Sequence, residues 1–522
     1  MDGASAAISF AQLAGICIKL ANGLVRKYQT YKSAGKDIEN IIVRIEGSWL
    51  RAEAQIGVLS KILDSSDDAL LAYQYACLER LWRQLSLAIM EVENLTESNL
   101  NAVNLRDLSL SIRPIKKARY VRLSKHLQKL VADLTLWRDE FDPSWYLIGR
   151  IADSNIDKIL QSEPHTQAPQ DEISAVGAIR KAIQATASDK GPPASIFRDV
   201  DCVSDSKTQI LHSGITTSIF LPDGMAVLLD QTAFDEDNDR TQSMVQVRDL
   251  ARLLSFSKPE TLGLLECLGA IKIHDQRGAG SQYQFIFKIP PGLGNPSVLR
   301  TLIMGPASSL DARFRIARSL ARSVMAVHSA DLVHKNIHPE TIVVFEDSSQ
   351  SLPSSFLVGF ERFRAAGAGT TLAGDNVWQR NLYRHPNRQG IRPEDTYIMQ
   401  HDIYSLGACL LELGLWTTFV TPTEPPQPGP RLDIGEQLVL AKREPIQAAR
   451  SIKGILINMA KELLPTTMGL MYTEVVLSCL TCLDSGPSNM FADAKDIYDA
   501  DGIIVGVAFI EKILLRLEGI RL

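Results

Sequence analysis

The spacing of apolar residues changes along this chain of 522 residues, and that change limits what it can fold into. Up to about residue 160, apolar side chains recur at three- and four-residue steps, which is one face of a helix. Beyond about residue 200, short β-like runs take over, and helical spacing then returns from Leu310. Between the two regions lie Pro164, Pro169 and Gly191-Pro192-Pro193, the punctuation of a linker. The expectation is an α+β multidomain chain. It has an all-α helical bundle over 1–160, a linker over 161–200, and a strand-then-helix region over 201–522. Ile173, Val176, Ile179 and Ile183 give the linker one short amphipathic helix.

Four helices are expected in the first region. The first carries Phe10, Leu13, Ala14, Cys17, Leu20, Ala21, Leu24, Tyr28 and Tyr31. The second carries Ile38, Ile41, Ile42, Ile45, Trp49, Ala52, Ile56, Leu59 and Leu63, and the third Leu78, Leu81, Leu85, Ala88, Val92 and Leu95. The fourth follows Pro114 with Leu123, Leu127, Leu130, Leu134, Trp137 and Phe141. Amphipathic helices with short connections make a bundle.

Composition excludes several classes. A net charge of −5 gives no reason to expect a nucleic-acid partner. Seven cysteines without a repeating framework fit a reduced, intracellular setting better than a secreted one, and the Cys479-x-x-Cys482 pair reads as helix packing. No positive leader precedes Lys19, so no secretory signal is expected. No uncharged run reaches the roughly 20 residues a bilayer needs.

Two features exceed plain packing. Ile8, Ala11, Ile16 and Ile18 lie off the stripe of the first helix, so its first half is apolar nearly all round. Either the other helices sheathe it, or it enters a membrane interface. The stretch 105–130 holds Arg106, Arg113, Lys116, Lys117, Arg119, Arg122, Lys125 and Lys129 against Asp107 alone. Such a run is either a solvated face or a patch for anionic lipid, at about 1 kcal/mol per cation. The candidate membrane-binding residues are Ile8, Phe10, Leu13, Ile16 and Leu20, with Arg113, Lys116, Lys117, Arg119, Arg122, Lys125 and Lys129.

The uncharged first helix, the segment Y-K-S-A-G-K-D-I-E-N at Tyr31–Asn40, and L-W-R-D-E-F-D-P-S-W-Y-L-I-G-R at Leu136–Arg150 carry a resemblance. This region resembles the HeLo and HeLo-like domains of fungal cell-death and heterokaryon-incompatibility proteins. The resemblance implies a helical bundle whose N-terminal segment, here about Ala4–Leu24, is released to permeabilise membranes.

Farther on, His334–Thr341 reads H-K-N-I-H-P-E-T, His401–Gly407 reads H-D-I-Y-S-L-G, and Tyr383–Pro386 reads Y-R-H-P. In their joint spacing these resemble the catalytic loop, the D-x-W-S-x-G helix and the end of the activation loop of protein kinases. The resemblance covers about 300 residues and implies a two-lobed protein-kinase-like fold. Strands are expected at Thr216–Leu221, Met225–Leu229, Leu264–His274, Tyr283–Ile289, Thr341–Phe345 and Phe356–Val358. Helices are expected at Gln242–Phe256 and Leu310–Ser329.

The chemistry that goes with this fold is missing. Asn336 stands at the catalytic Asp and Thr341 at the metal-binding Asn. Gly359-Phe360-Glu361 takes the place of D-F-G, and no Gly-rich loop precedes Gly224. From Met225 to Asp239 there is no Lys or Arg, so Thr232 or Asp230 stands in for the phosphate-binding lysine. Parts that act as a unit are lost together, so a pseudokinase is expected, with no catalytic residues, no metal and no required cofactor. Weak metal-independent nucleotide binding stays open. Asp402 is retained, and the resemblance implies that it supports the loop containing His334 from below. Thr370 and Thr371, in a Gly- and Ala-rich loop near Arg362, Arg364 and Arg380, are candidate phosphorylation sites.

A membrane-active bundle joined to a pseudokinase resembles the layout of mixed-lineage-kinase-domain-like cell-death proteins. That layout implies a cytoplasmic protein that answers an upstream signalling protein, forms a homo-oligomer, and moves to anionic lipid at the plasma membrane. A catalytically silent scaffold and an unorthodox ATP-dependent protein kinase are the alternatives.

Overall fold

The computed structural model describes residues 3–62, 67–97, 112–151, 153–162, 173, 176–177, 179–181, 196–234, 240–255, 257, 259–273, 281–347, 352–360, 364–365, 376–390, 393, 395–491 and 502–521. They fall into two compact units, Met1–Ser174 and Ala175–Leu522.

The first unit is helical. Helices α1 (Gly3–Gln29), α2 (Lys36–Ile62), α3 (Asp68–Glu97) and α4 (Ile112–Ile148) are followed by a short α5 (Ser154–Ser162), which the sequence pattern did not suggest. Each long helix buries one stripe: Phe10, Ala14, Cys17, Ala21, Leu24 and Tyr28 do so on α1. Helix α1 packs on α2 and α3, and α4 packs on the same two. Thus α1 occupies a corner of the bundle, not a sheathed centre. The reason is visible in its other face, where Ala11, Gln12, Gly15, Lys19 and Gly23 are exposed and have little apolar area to hide. Polar groups fix the helix register. Trp137 Nε1 donates to the Cys77 carbonyl at 2.8 Å, and Trp49 Nε1 to Asn22 Oδ1 at 2.7 Å.

The second unit opens with a six-stranded sheet in the order β1-β5-β6-β4-β3-β2. Its strands are β1 (Phe197–Arg198), β2 (Thr208–Gln209), β3 (Ile215–Phe220), β4 (Met225–Phe234), β5 (Cys267–Ile273) and β6 (Ser281–Lys288). Only β1 pairs in parallel, with β5. Between β4 and β5 runs α6 (Arg240–Ser255), which packs against β5. β-branched and aromatic residues alternating over a buried face explain the strands. Val227, Leu229, Ile271 and Ile286 form the core beneath.

Helices dominate the rest. After β7 (Leu293–Val298) come α7 (Leu299–Met304) and α8 (Leu310–Ser329), then β8 (Leu332–Val333), β9 (Ile342–Asp347), β10 (Ser354–Leu357) and β11 (Arg364–Ala365). Ser309 caps α8 by accepting the Ala312 amide. Every residue of α9 (Met399–Leu415) is buried, the polar Gln400, His401, Asp402, Ser405 and Glu412 included. Around it pack α8, α10 (Pro445–Thr467) and α11 (Leu470–Leu480). Gly407 permits the last contact, because a Cβ there would lie 2.5 Å from Cys479 Cβ. Cys479 and Cys482 are both buried, and Cys482 Sγ donates to the Gln400 carbonyl at 3.2 Å. The unit ends with α12 (Ile503–Phe509), a π-turn (Ile510–Leu514) and α13 (Leu515–Gly519).

Candidate functional site

The loop between β8 and β9 carries His334, Asn336 and Thr341, and α9 sets its position. Near the start of that helix, Asp402 accepts the backbone amides of His334 at 2.7 Å and Lys335 at 2.9 Å. The Tyr397 hydroxyl donates to the same carboxylate at 2.6 Å, and His328 Nε2 lies 3.1 Å away. Burial alone would raise the Asp402 carboxyl, but the hydrogen bond and charge of His328, with the Tyr397 hydroxyl, hold it below its usual value. Lys335 takes a positive φ of 65°, so the chain turns sharply over the carboxylate.

His334 is fully buried. Its Nε2 donates to the Val358 carbonyl at 3.1 Å, so Nδ1 is left to accept the Asn336 amide at 3.3 Å. Burial pushes this imidazole down to about 4, which keeps it neutral. The Phe360 ring packs on it, with centroids 4.6 Å apart.

Asn336, Thr341, Gly359 and Asp230 close on one another. Asn336 Nδ2 donates to the Gly359 carbonyl at 3.1 Å, and its Oδ1 faces His338 Nε2 at 3.1 Å. Thr341 Oγ1 lies 2.9 Å from the Asn336 and His338 carbonyls and accepts the His338 amide at 3.2 Å. Gly359 has φ +83°, and a Cβ there would lie 2.3 Å from Thr341 Cγ2. Its amide donates to Asp230 Oδ2, on β4, at 2.8 Å. Of the two β4 residues considered from sequence, Asp230 therefore reaches this cluster through Gly359. Thr232 is buried two positions along, opposite Tyr283. Glu361, Thr370 and Thr371 lie outside the described residues.

A second polar cluster adjoins the first. His338 Nδ1 lies 2.7 Å from Glu340 Oε2, and Arg300 Nε donates to Glu340 Oε1 at 2.9 Å. Arg300, fully buried, also donates to Glu412, to Thr418 and to the Tyr383 hydroxyl. Burial works against the Arg300 charge, but Glu412, Tyr383 and Glu340 more than offset it and hold the guanidinium protonated. Sequence reading missed His338, Glu340 and Arg300. Two of them stand inside the H-K-N-I-H-P-E-T segment, and a polar pair flanking Pro339 was the available signal. Among the described residues, no group of three His, Cys, Asp or Glu side chains is arranged to hold a metal ion.

The described candidate membrane residues differ in burial. Ile16 is 47% exposed, Leu13 and Leu20 are half-buried, and Phe10 is fully buried in the bundle core. While α1 stays packed, Phe10 faces the bundle core, as its place on the buried stripe requires. Arg122, Lys125 and Lys129 are exposed on α4, and Lys129 is paired with Glu91 at 2.8 Å. That glutamate also faces His126 Nδ1 at 2.7 Å, and His126 Nε2 meets the Tyr28 hydroxyl at 2.7 Å, tying α1, α3 and α4 together. Arg113, Lys116, Lys117 and Arg119 lie on the α4 backbone, but their side chains, like that of Ile8, are outside the described residues. Among the described residues, no helix is long and apolar enough to cross a membrane.

Compared with known proteins, the chain matches no family model and no curated protein.

Proposed function

We propose that the second unit is a protein-kinase-like fold that has lost phosphoryl transfer, and that it regulates a bundle acting on anionic membrane in a cell-death or incompatibility response. The strand order supports the first half. Five strands, β2 to β6, form an antiparallel sheet, with helix α6 and a short helical turn (Pro259–Leu262) between the third and fourth. The helical part follows, and its loop hangs on Asp402.

One observation carries the loss of chemistry: the Asp230 carboxylate accepts the Gly359 amide. Phosphate binding on β4 needs a cation, and Asp230 supplies a negative charge instead. At 359 a metal-binding carboxylate is replaced by a glycine whose Cβ space is already filled by Thr341. Magnesium-bound nucleotide does not fit these residues.

On this reading the bundle is the effector. A signal from an upstream protein acts on the second unit, copies of the chain associate, and the cytoplasmic protein moves to the plasma membrane. Arg122 and Lys125 then meet anionic headgroups, and α1 follows. The test is leakage of dye from phosphatidylserine-containing vesicles by the full chain and by residues 1–174, which have their own core. Leakage by the bundle, suppressed in the full chain, is the expected result. Intact vesicles in both cases would favour the scaffold reading. Magnesium-dependent phosphate transfer from ATP would favour a working kinase.

A further inference from the structure

Helix α2 carries two stripes. The inner one, with Ile38, Ile42, Ile45, Trp49, Ala52, Ile56 and Leu59, is buried in the bundle. On the opposite face Asn40, Val43, Gly47, Leu50 and Ala54 follow at steps of three and four residues, and all five are exposed. Val43 is 53% and Leu50 66% exposed, although both are large and apolar. This outer stripe has heptad spacing, with Asn40, Gly47 and Ala54 at position a and Val43 and Leu50 at position d. Packing within the bundle gives no reason for it. A Cβ on Gly47 would meet nothing within 4 Å. Glycine inside a helix costs about 0.5–1 kcal/mol relative to alanine, and no contact of its own chain requires it here.

The charges beside the stripe indicate what covers it. Arg44 and Arg51 lie along one edge, at position e, and Glu39, Glu46 and Glu53 along the other, at position g. One basic and one acidic edge suit a second α2 running parallel, because a two-fold axis along the helices brings each g edge against the e edge of the other copy. In that register Glu39 meets Arg44, and Glu46 meets Arg51, of the other copy. An antiparallel pair would set Arg44 against Arg51 and Glu46 against Glu53. Among the described residues, the side chains of Glu39, Arg44 and Arg51 have no partner in their own chain. Glu46 is already bonded to Lys32 at 3.0 Å, and Glu53 accepts Asn22 Nδ2 at 2.8 Å, so the Glu39–Arg44 pairs carry the recognition. Lys36 and Lys61 continue the stripe at its two ends and would set like charges together, which limits the seam to residues 40–54.

We propose that two copies of this chain pair through α2, side by side and parallel, with Leu50 seated between Gly47 and Ala54 of the other copy. Asn40 at position a fixes the register, and the Glu39–Arg44 pairs fix the direction. Over residues 40–54 the helix rises about 21 Å, so the seam is short and the association weak. The stripe is already exposed in the full chain, so the pair forms without a signal. This inference goes beyond the lipid reading, since no membrane enters it.

Sedimentation equilibrium of the full chain between about 1 and 100 µM tests it. A mass rising with concentration from one chain toward two is expected. Leu50→Asp weakens the association at least tenfold. Glu39→Lys and Arg44→Glu each weaken it at least threefold, and combined in one chain they restore it to within twofold. These two positions are five residues apart and do not face each other on one helix, so the recovery reports contact between copies. Leu50→Cys gives a disulfide-linked dimer on air oxidation, because the parallel register sets Leu50 beside Leu50 of the other copy. Ala72→Cys, at an exposed position on α3, does not. A single-chain mass throughout, a dimer that Leu50→Asp leaves unchanged, or charge reversals without effect or without mutual rescue overturns the proposal. Cross-linking no greater at 50 than at 72 overturns it as well. A chain that stays monomeric yet releases dye from vesicles overturns the pairing and leaves the membrane reading standing.

Discussion

The carboxylate of Asp230 accepts the amide of Gly359 at 2.8 Å, joining residues 129 apart in the chain. Both groups are buried, so removing the acceptor leaves a donor without water. Asp230→Ala is expected to destabilise the second unit by about 1–3 kcal/mol. Denaturant unfolding of the full chain measures this, and hydrogen exchange at Gly359 should quicken in parallel. A change below about 0.5 kcal/mol would mean that the bond is not maintained in solution. Asp230→Lys is expected to bring no magnesium-dependent nucleotide binding, because Asn336, Thr341 and Gly359 remain as they are.

Gly359 carries a second, separable constraint. Its φ of +83° suits glycine alone, and its Cβ position falls 2.3 Å from Thr341 Cγ2 and 2.7 Å from Thr341 Cβ. Gly359→Ala combines left-handed strain of about 1–2 kcal/mol with overpacking of about 1–3 kcal/mol. Thr341→Ser removes Cγ2 and keeps the hydroxyl. In the double variant it should recover part of the overpacking and none of the strain. Full additivity in that cycle would show that the two side chains do not meet.

Acid should loosen the second unit through its buried imidazoles. Burial lowers His334 to about 4, His401 to about 3 and His385 to about 2, with Arg388 adding to the effect at His401 and Lys453 at His385. The unfolded chain protonates near 6.5, so it takes up protons before the folded one does. Stability is therefore complete above about pH 7 and falls as pH drops through 6.5 toward the folded values. The slope reaches about 1.4 kcal/mol per pH unit for each histidine. Denaturation midpoints at pH 7.5, 6 and 5 test this in a window above the usual carboxylate range. A flat profile would mean that these rings reach solvent.

Much of this architecture was legible because the apolar period is a local property. The helices of the bundle, the strands β3 to β6 and the span Leu310–Ser329 all follow from it. The placement of α1 was not legible. Periodicity reports which side chains prefer burial, but not which neighbours supply it, so Phe10 reads equally as core or as a lipid contact. The same limit hid the partners of Asn336. Its loop position is written in the spacing, while His338 and Gly359 meet it through backbone turns that depend on Asp402 and on a positive φ. Asp230 and Thr232 share a side of β4, and only the sheet register and the approach of Gly359 separate them.

The contrast between Ile16 and Phe10 separates the folding of the bundle from its proposed work on lipid. Ile16 is 47% exposed and sits beside Lys19 and Lys27 on a shallow apolar groove, whereas Phe10 is fully enclosed. Ile16→Asp should lower the unfolding free energy by about 1 kcal/mol or less, since its side chain is 47% exposed. It should still weaken binding to phosphatidylserine vesicles, because a charge replaces apolar area at the surface that would enter the interface. Phe10→Ala should cost about 3–5 kcal/mol through the cavity it leaves. If release of α1 limits membrane entry, that loss also speeds leakage before the bundle unfolds globally. Vesicle co-sedimentation and dye release, run beside denaturation, give both readouts. If both variants bind vesicles as tightly as the unaltered chain and cause leakage no faster, α1 is not the element that meets lipid.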